Sequence, residues 1–234
     1  MPYAYWNRKG DLVGLSIDLA YQLAKDMGVR LELVPVNSER LVRDLNAAKV
    51  DLVMGHDLIT PESAMLLNFS IPFMYETLAI VTPDYKRNLF QDYRELQEKR
   101  LTLAVPAFPY YIKKIKQLFP KAELRPIHSI EEFFQGRMEG VDGMVYTAEG
   151  GAFMTLIYPQ FSVVVPKGLT IRLPLAFPVR RGGASLARFL DAWIEMKRHD
   201  GTLKELRRYW ILGENAKPKR PRWCIARDLL HIMR

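Results

Sequence analysis

The sequence predicts an α/β protein in which mostly parallel sheets are covered by helices. Three observations support this prediction. Strand and helix patterns alternate through the first 54 residues, a second such unit opens at residues 101–105, and an apolar stripe of helical period lies near the C-terminal end. With 234 residues, of which 49% are hydrophobic and 26% charged, the chain is long enough for one large domain or two small ones.

The first 54 residues follow the order β-α-β-α-β. Residues 2–15 predict a turn and a strand, and a helical pattern then runs from Ser16 to a stop at Gly28. The elements expected next are a strand at residues 31–36, a helix at residues 41–48 and a strand at residues 51–54. This alternation is typical of parallel sheets whose crossovers are helices.

Residues 51–73 combine a strand end, a polar turn and a marked helix start. His56 and Asp57 lie in the turn, Thr60 is a suitable N-cap, and Pro61 fits the first helical position. Proteins of the α/β class hold small ligands where strands end and helices begin. The turn is therefore a candidate ligand site, although an ordinary strand-to-helix connection has the same pattern.

The rest of the chain predicts a second α/β unit and a helical end. Extended segments or strands are expected at residues 78–83, 101–105, 124–127, 141–146, 161–165 and 173–179, and helices are expected to start near Pro109, Ser129 and Ala148. Two final helices are indicated by the stripes Leu186, Phe189, Leu190, Trp193, Ile194 and Leu203, Leu206, Trp210. We expect these aromatic residues to pack in the core and not to contact a cofactor.

Composition excludes several kinds of site and partner. The single cysteine, Cys224, excludes an internal disulfide and a multi-cysteine metal site, and no cofactor is predicted.

Half of the net charge of +8 lies in residues 213–234, a basic tail expected to be solvated, with contact to anionic lipid as the alternative. Basic residues elsewhere are interleaved with acidic ones, which disfavours nucleic acid. With no long apolar run and no signal peptide, the chain is expected to be cytosolic or a mature or excised piece.

Four segments stand in an order that matches a known family. They are residues 10–20 (GDLVGLSIDLA), residues 51–73 with ITPE at 59–62 and FSIPF at 69–73, residues 141–145 (VDGMV), and residues 200–210, which begin with DGT and end with a Tyr-Trp pair. Their order and spacing resemble those of the type 2 periplasmic solute-binding proteins of the polar amino-acid class, family 3. The resemblance covers about 210 residues.

The resemblance implies two α/β lobes that close on a ligand about two hinge strands, near residues 80–83 and 176–179. Lobe 1 would comprise residues 1–81 and 178–212, and lobe 2 residues 82–177. A ligand that touches both lobes would favour the closed state by its differential affinity. The family's first strand has no counterpart in this chain. An exposed sheet edge is therefore expected, as in a truncated or excised fragment, unless another segment fills the gap.

Three departures from the family pattern concern the ligand clamp. Ser63 and Leu58 stand where members that bind an α-amino acid keep an arginine and a threonine. Residues 108–111 (FPYY) replace a Gly-Thr-Thr turn, and their proline has no N–H to donate. Thr147 replaces an aspartate, with Glu149 two residues later.

The residues implied for the ligand site combine aromatic rings with acidic groups. They are Ser38, Gly55, His56, Asp57, Leu58, Ser63, Phe108, Tyr110, Tyr146, Thr147 and Glu149, and Tyr111 adjoins them. Such a cleft suits a neutral or cationic small molecule with an apolar body better than a simple carboxylate. Two alternatives stay open: several of these rings pack in the lobe cores, or the cleft binds nothing.

Residues 158–166 and 209–231 indicate a narrower subgroup. They are similar to solute-binding domains fused to dicarboxylate/amino acid:cation symporters. The function implied is capture of a small polar molecule, an amino acid or a related amine or organic acid, for a membrane transporter. The domain would lie in the periplasm or otherwise outside the cytoplasm, held at the membrane by a partner or a fusion.

Two other functions occur on the same fold. Cyclohexadienyl dehydratases need a general acid and a means of holding an anionic substrate. Glu149, or the pair His56 and Asp57, would supply the acid, but the carboxylate clamp is missing, so an enzyme is not expected. The ligand-sensing domain of a membrane receptor is the third function, and only flanking sequence would distinguish it from a transport domain.

Overall fold

The computed structural model describes residues 2–7, 9–36, 40–55 and 59–214. Its N-terminal part forms the strands β1 (Tyr5–Trp6), β2 (Leu12–Val13) and β3 (Leu67–Phe69) and the helices α1 (Leu15–Met27), α2 (Leu41–Asn46) and α3 (Pro61–Leu66). The middle part contains the strands β4 (Met74–Pro83), β5 (Thr102–Pro106), β6 (Glu123–Ile127), β7 (Gly143–Thr147), β8 (Phe161–Val164) and β9 (Arg172–Leu175).

Helices cover the sheet of the middle part. They are a 3-10 helix (Asp84–Phe90) and the α-helices α4 (Tyr93–Glu98), α5 (Pro109–Leu118), α6 (Ile130–Phe134) and α7 (Ala148–Ile157). The described chain then ends with β10 (Pro178–Arg180), α8 (Ala184–His199) and α9 (Thr202–Trp210).

The two ends of the chain share one hydrophobic core, and the middle part has cores of its own. Leu19 and Leu23 of α1 pack with Leu190 and Trp193 of α8. The middle part buries a separate set that includes Leu78, Phe90, Leu103, Ile115 and Val145. We call the part around the first core lobe 1 and the part around the others lobe 2.

The predicted α/β fold is present, with sheets that are mixed in direction. In lobe 2 the strand order is β6-β5-β7-β4-β8. Strand β5 runs parallel to β6 and β7, whereas β4 runs antiparallel to β7 and β8. In lobe 1, β1 pairs antiparallel with β2, and β3 with β10. The mixture arises because β4 enters lobe 2 from lobe 1 and so runs against the strands that helices connect.

Strands β4 and β9 connect the lobes as an antiparallel pair. Met74 lies opposite Leu175, and Thr77 lies opposite Arg172. We call residues 74–77 and 172–175 the hinge ribbon. Met74 and Leu175 are buried in the core of lobe 1, whereas Leu78 is buried in lobe 2. The chain therefore exchanges cores within this ribbon, and the lobe boundaries at 81/82 and 177/178 stay a prediction.

The predicted strand at residues 31–36 does not form. These residues pair with no strand in the described parts of the chain, and Leu33 and Val34 are exposed. Residues 51–54 make only one bridge there, between Leu52 and Val179. A strand is held by hydrogen bonds to a neighbour, so an apolar, β-favouring sequence does not suffice alone.

Two further expectations need correction. The predicted strand at residues 173–179 is split into β9 and β10 because the first half pairs with β4 in the hinge ribbon and the second half with β3. Phe189 was expected on the buried stripe of α8, but its side chain is exposed. The other four members of that stripe are buried or partly buried in the core of lobe 1, so only its edge was misplaced.

Local helix signals behave as predicted. Helix α1 ends at Gly28 in the left-handed conformation, with φ of 66°. In α3, the Ser63 N–H donates to Thr60 Oγ1 at 3.1 Å, and the Thr60 N–H donates to Ser63 Oγ at 3.0 Å. In α6, Glu132 Oε1 accepts the Ser129 N–H at 3.1 Å. These reciprocal caps satisfy N–H groups that have no partner within a helix.

A charged cluster ties α1 to the end of α8 and gives a pH-dependent contribution to stability. Lys197 is buried, and its Nζ lies 2.9 Å from Asp26 and 3.1 Å from Asp200. Hydrogen bonds from Thr202, and then the charge of Lys197, lower the pKa of Asp200 to about 2. An aspartate in an unfolded chain titrates near ~3.9. The stabilisation is therefore complete above about pH 4 and is lost as the pH falls toward 2.

We expect Asp200→Asn to reduce the melting temperature at pH 6 and to have a much smaller effect at pH 2, where about half of the Asp200 carboxyl groups are protonated. The reason is that the asparagine keeps the Thr202 bond but not the charge. Thermal melts of both proteins across this range measure the difference. The matched change at exposed Asp51, Asp51→Asn, should give a pH profile parallel to wild type. A constant offset between Asp200→Asn and wild type from pH 6 to pH 2 would contradict the assignment.

Candidate functional site

A buried carboxylate stands at the centre of the hinge ribbon. The Glu76 side chain has no solvent exposure. Tyr3 Oη donates a hydrogen bond to Glu76 Oε1 at 2.5 Å, and Thr147 Oγ1 donates to the same oxygen at 3.1 Å. Tyr3 belongs to the core of lobe 1, whereas Thr147 ends β7 in lobe 2. The Glu76 carboxylate therefore bonds to both lobes.

A second carboxylate, Glu149, lies against the open edge of the ribbon. The Thr77 N–H donates to Glu149 Oε2 at 2.9 Å. Glu149 is in the first turn of α7, where Thr147 caps the helix by accepting the Gly150 N–H at 3.1 Å. An acidic side chain is favoured near this positive end of a helix. Within the described residues Glu149 makes no ion pair, and its side chain is half-buried.

Glycine at position 150 is needed for the close approach of α7 to this site. A Cβ there would lie 2.6 Å from the Tyr146 ring and 3.0 Å from Thr147 Oγ1. Any larger residue would push the Tyr146 ring or the cap away. The glycine therefore allows Tyr146, Thr147 and Glu149 to converge on the hinge ribbon.

Three tyrosines surround the carboxylates. Burial, followed by the charge of Glu76, raises the pKa of Tyr146 to about 12 and also raises the pKa of Tyr111 above its usual range. The same two causes raise the pKa of Tyr3, whose hydroxyl bonds to Glu76. All three phenols are thus neutral at physiological pH. Of the three, the half-buried Tyr111 and Tyr146 offer ring faces and hydroxyl groups beside Glu76 and Glu149, which suits a cation.

The structure brings together the predicted site residues of lobe 2. Tyr146, Thr147 and Glu149 meet at the hinge ribbon. Phe108 and Tyr110, at the start of α5, have ring centroids 6.2 and 6.1 Å from that of Tyr111. The Phe108 ring is exposed, and Lys114 Nζ lies 5.8 Å from the Tyr110 ring. These rings continue outward from Tyr111 toward solvent.

Only two of the predicted site residues of lobe 1, Gly55 and Ser63, lie in the described part of the chain. The Ser63 hydroxyl is half-buried and engaged in the cap of α3 through three hydrogen bonds with Thr60. Gly55 is half-buried. Ser38, His56, Asp57 and Leu58 lie outside the described residues, as does the tail from Asn215 onward. The proposed ligand contacts of all these residues stay predictions.

The sequence reasoning missed Tyr3 and Glu76. Glu76 was passed over because it stands before the predicted extended segment at residues 78–83, between Tyr75 and Thr77 of β4. A charged residue in a strand that is otherwise buried is itself a signal, because such a group is buried only with hydrogen-bonding partners. Its partners could not be read from sequence, since Tyr3 and Thr147 are 73 and 71 residues away.

Comparison with known proteins identifies the family. The family model of the bacterial extracellular solute-binding proteins, family 3, matches residues 1–213. This chain belongs to that family. As a solute-binding protein it has the two-lobe, type 2 periplasmic fold that the sequence predicted. The solved structure of an ancestral cationic amino acid solute-binding protein superposes on this chain with a TM-score of 0.70. The two sequences are 27% identical, and the superposition covers 90% of each chain.

Relatives of this solute-binding protein include binders and an enzyme. ABC transporter arginine-binding protein 1 of Escherichia coli K12 is 25% identical over 217 residues, which span 90% of this chain and 86% of the relative. Cyclohexadienyl dehydratase of Pseudomonas aeruginosa is 23% identical over 211 residues, which span 90% of this chain and 78% of the relative. No helix in the described part of the protein is long and apolar enough to cross a membrane.

Proposed function

We propose that this solute-binding protein captures a cationic amino acid, or a related amine with an apolar body, between its lobes. The observation that carries the proposal is the pair of carboxylates on and beside the hinge ribbon, Glu76 and Glu149, set among neutral tyrosines. The half-buried Glu149, Tyr111 and Tyr146 would contact the solute. Glu76 lies behind them and adds negative potential in a low-dielectric setting.

The chemistry of the cluster favours a cation over an anion. An ammonium or guanidinium group satisfies a carboxylate by charge-assisted hydrogen bonds and also interacts with phenol ring faces. An anionic side chain, such as that of glutamate, would meet two acidic groups and, in the described part of the cluster, only hydroxyl donors. The names of two relatives, an arginine-binding protein and an ancestral cationic amino acid binder, support the same solute class.

The protein is proposed to act without catalysis. A dehydratase on this scaffold would need a general acid beside an anionic substrate. Glu149 is positioned as such an acid, but the carboxylates and phenols around it provide no cation to hold the substrate. Incubation with prephenate or arogenate, followed by detection of phenylpyruvate or phenylalanine, is expected to yield no product.

We infer that the loaded protein serves a membrane transporter outside the cytoplasm. Binding proteins of this family carry solute to a separate ABC transporter, and the tail sequence favours a fused symporter instead. A receptor-sensing role would use the same cleft. The transporter identity, the fusion and the membrane tether are proposals that the sequence flanking this domain would test.

Isothermal titration with L-arginine, L-lysine and L-glutamate tests the solute class. We expect saturable binding of at least one of the two cationic amino acids, with a dissociation constant at least tenfold below that for glutamate. Bound solute should also raise the melting temperature by mass action. The proposal would be overturned if glutamate binds tightly and neither arginine nor lysine binds.

A further inference from the structure

A second cavity, distinct from the Glu76 cluster, adjoins the hinge ribbon. Its volume is about 330 Å³. The apolar part of its wall comes from Leu15, Phe73, Met74, Leu203 and Leu206. The polar part comes from Tyr75 and from four cationic side chains, Arg172, Arg198, Lys204 and Arg207. Among the residues that the structure describes, no carboxylate lines the cavity, although Glu195 borders it by pairing with Arg198.

Strand register sets this cavity apart from the Glu76 site. Side chains alternate between the two faces of a strand, and directly opposed residues of an antiparallel pair share a face. Thr77 is opposite Arg172, and Glu76 is opposite Leu173. Arg172 therefore projects from the face of the ribbon opposite to that of Glu76. Tyr3, Glu76, Thr147 and Glu149 are also absent from the wall of the cavity, so the two sites share no lining residue.

Most of the positive charge in this cavity is uncompensated. Arg198 donates to Glu195 and to the Pro72 carbonyl. The side chains of Arg172, Lys204 and Arg207 make no hydrogen bond or ion pair with any residue that the structure describes. Like charges held together over an apolar floor repel one another unless an anion joins them.

The cationic residues also come from both sides of the hinge. Lys204 and Arg207 are on α9, which packs on the core of lobe 1 through Leu203 and Leu206. Arg172 is opposite Thr77 at the end of the ribbon where Leu78 enters the core of lobe 2. An anion held between Arg172 and Arg207 would thus touch elements that move with different lobes.

We propose that this cavity binds a small organic anion with an apolar body, its anionic group held by Arg172, Lys204 and Arg207 and its body over the leucine and phenylalanine side chains. A free alkyl phosphate and the headgroup region of an anionic lipid share this chemistry. Because the site spans the hinge, its occupancy shifts the balance of lobe arrangements and changes the affinity of the solute site reciprocally.

Titration calorimetry with n-hexyl phosphate tests the site. We expect saturable binding of hexyl phosphate to the wild-type protein. Inorganic phosphate should bind more weakly because it lacks an apolar body, and hexylammonium should not bind. Arg172→Gln combined with Arg207→Gln should weaken hexyl phosphate at least tenfold. Arg137→Gln combined with Arg188→Gln, an equal charge change at two exposed positions, should leave the affinity unchanged. The titration is repeated in the presence of phosphatidylglycerol vesicles. A reduced affinity for hexyl phosphate in the wild-type protein would show that the lipid headgroup binds at the same two arginines.

Three results would each overturn the proposal. The wild-type protein does not bind hexyl phosphate, the double variant binds it as tightly as the wild type does, or the wild type binds hexylammonium as tightly as hexyl phosphate. The arginine titration described above is run on the same samples. Because the two sites share no lining residue, loss of one kind of binding with retention of the other separates a failure of this inference from a failure of the solute assignment.

Discussion

Replacing Gly14 with alanine is expected to destabilise the protein by about 3–5 kcal/mol. Gly14 precedes α1 with φ of 141°, a conformation that side chains rarely adopt. A Cβ at this position would lie 2.2 Å from the Tyr3 carbonyl oxygen and 2.9 Å from the Ala4 nitrogen. Backbone strain and steric overlap, each worth about 1–3 kcal/mol, add here.

The same substitution should disturb the site. The Ser16 N–H donates to the Tyr3 carbonyl at 2.9 Å, so relief of the overlap shifts Tyr3 and with it the hydroxyl bonded to Glu76. Urea unfolding measures the loss of stability. The control is Gly10→Ala, which also has positive φ but no atom within 4 Å of the new Cβ, and should cost about 1 kcal/mol. Equal effects at the two glycines would show that the close approach to Tyr3 is unimportant.

Replacing Glu149 with glutamine is expected to weaken binding of L-arginine or L-lysine by tenfold to a hundredfold. The amide oxygen can still accept the Thr77 N–H, but the charge that would pair with the solute is gone. Hydrogen bonds to charged groups contribute about 1.5–3 kcal/mol, and each 1.4 kcal/mol changes an affinity about tenfold. Titration calorimetry measures the change.

Two further variants separate solute binding from folding. Glu139→Gln makes the same charge change at an exposed position of lobe 2 and should bind solute like wild type. Glu149→Ala also removes the acceptor for the Thr77 N–H, so it should lower the free energy of unfolding by about 1–3 kcal/mol as well. If Glu149→Gln binds cationic solutes as tightly as wild type, the carboxylate does not contact them.

Local signals predicted the fold where the cause is local. Thr60 and Ser129 mark helix starts because their caps involve residues two or three positions away. Strand prediction failed where strand formation depends on pairing with a neighbouring strand that is distant in sequence. Residues 31–36 have a strand-like sequence but no neighbour in the described chain, and residues 173–179 divide because their two halves pair with different strands.

The candidate site was predictable only in part, for the same reason. Tyr146 and Thr147 end one strand and Glu149 comes directly after it, so their position at a sheet end could be inferred from the chain alone. Glu76 acquires its role from Tyr3 and Thr147, which reach it only after both lobes have folded. Sequence pattern identifies a family and a sheet edge more readily than hydrogen bonds across seventy residues.

The division of the cores sets an order in which the protein can form during synthesis. All the buried residues of the lobe 2 cores lie between positions 78 and 169, so lobe 2 can fold while α8 and α9 are still in the ribosomal tunnel. The core of lobe 1 needs Leu190 and Trp193 from α8. The apolar face of α1, which precedes lobe 2 in the chain, must therefore stay unburied until α8 has been synthesised, and it is open to aggregation during that interval.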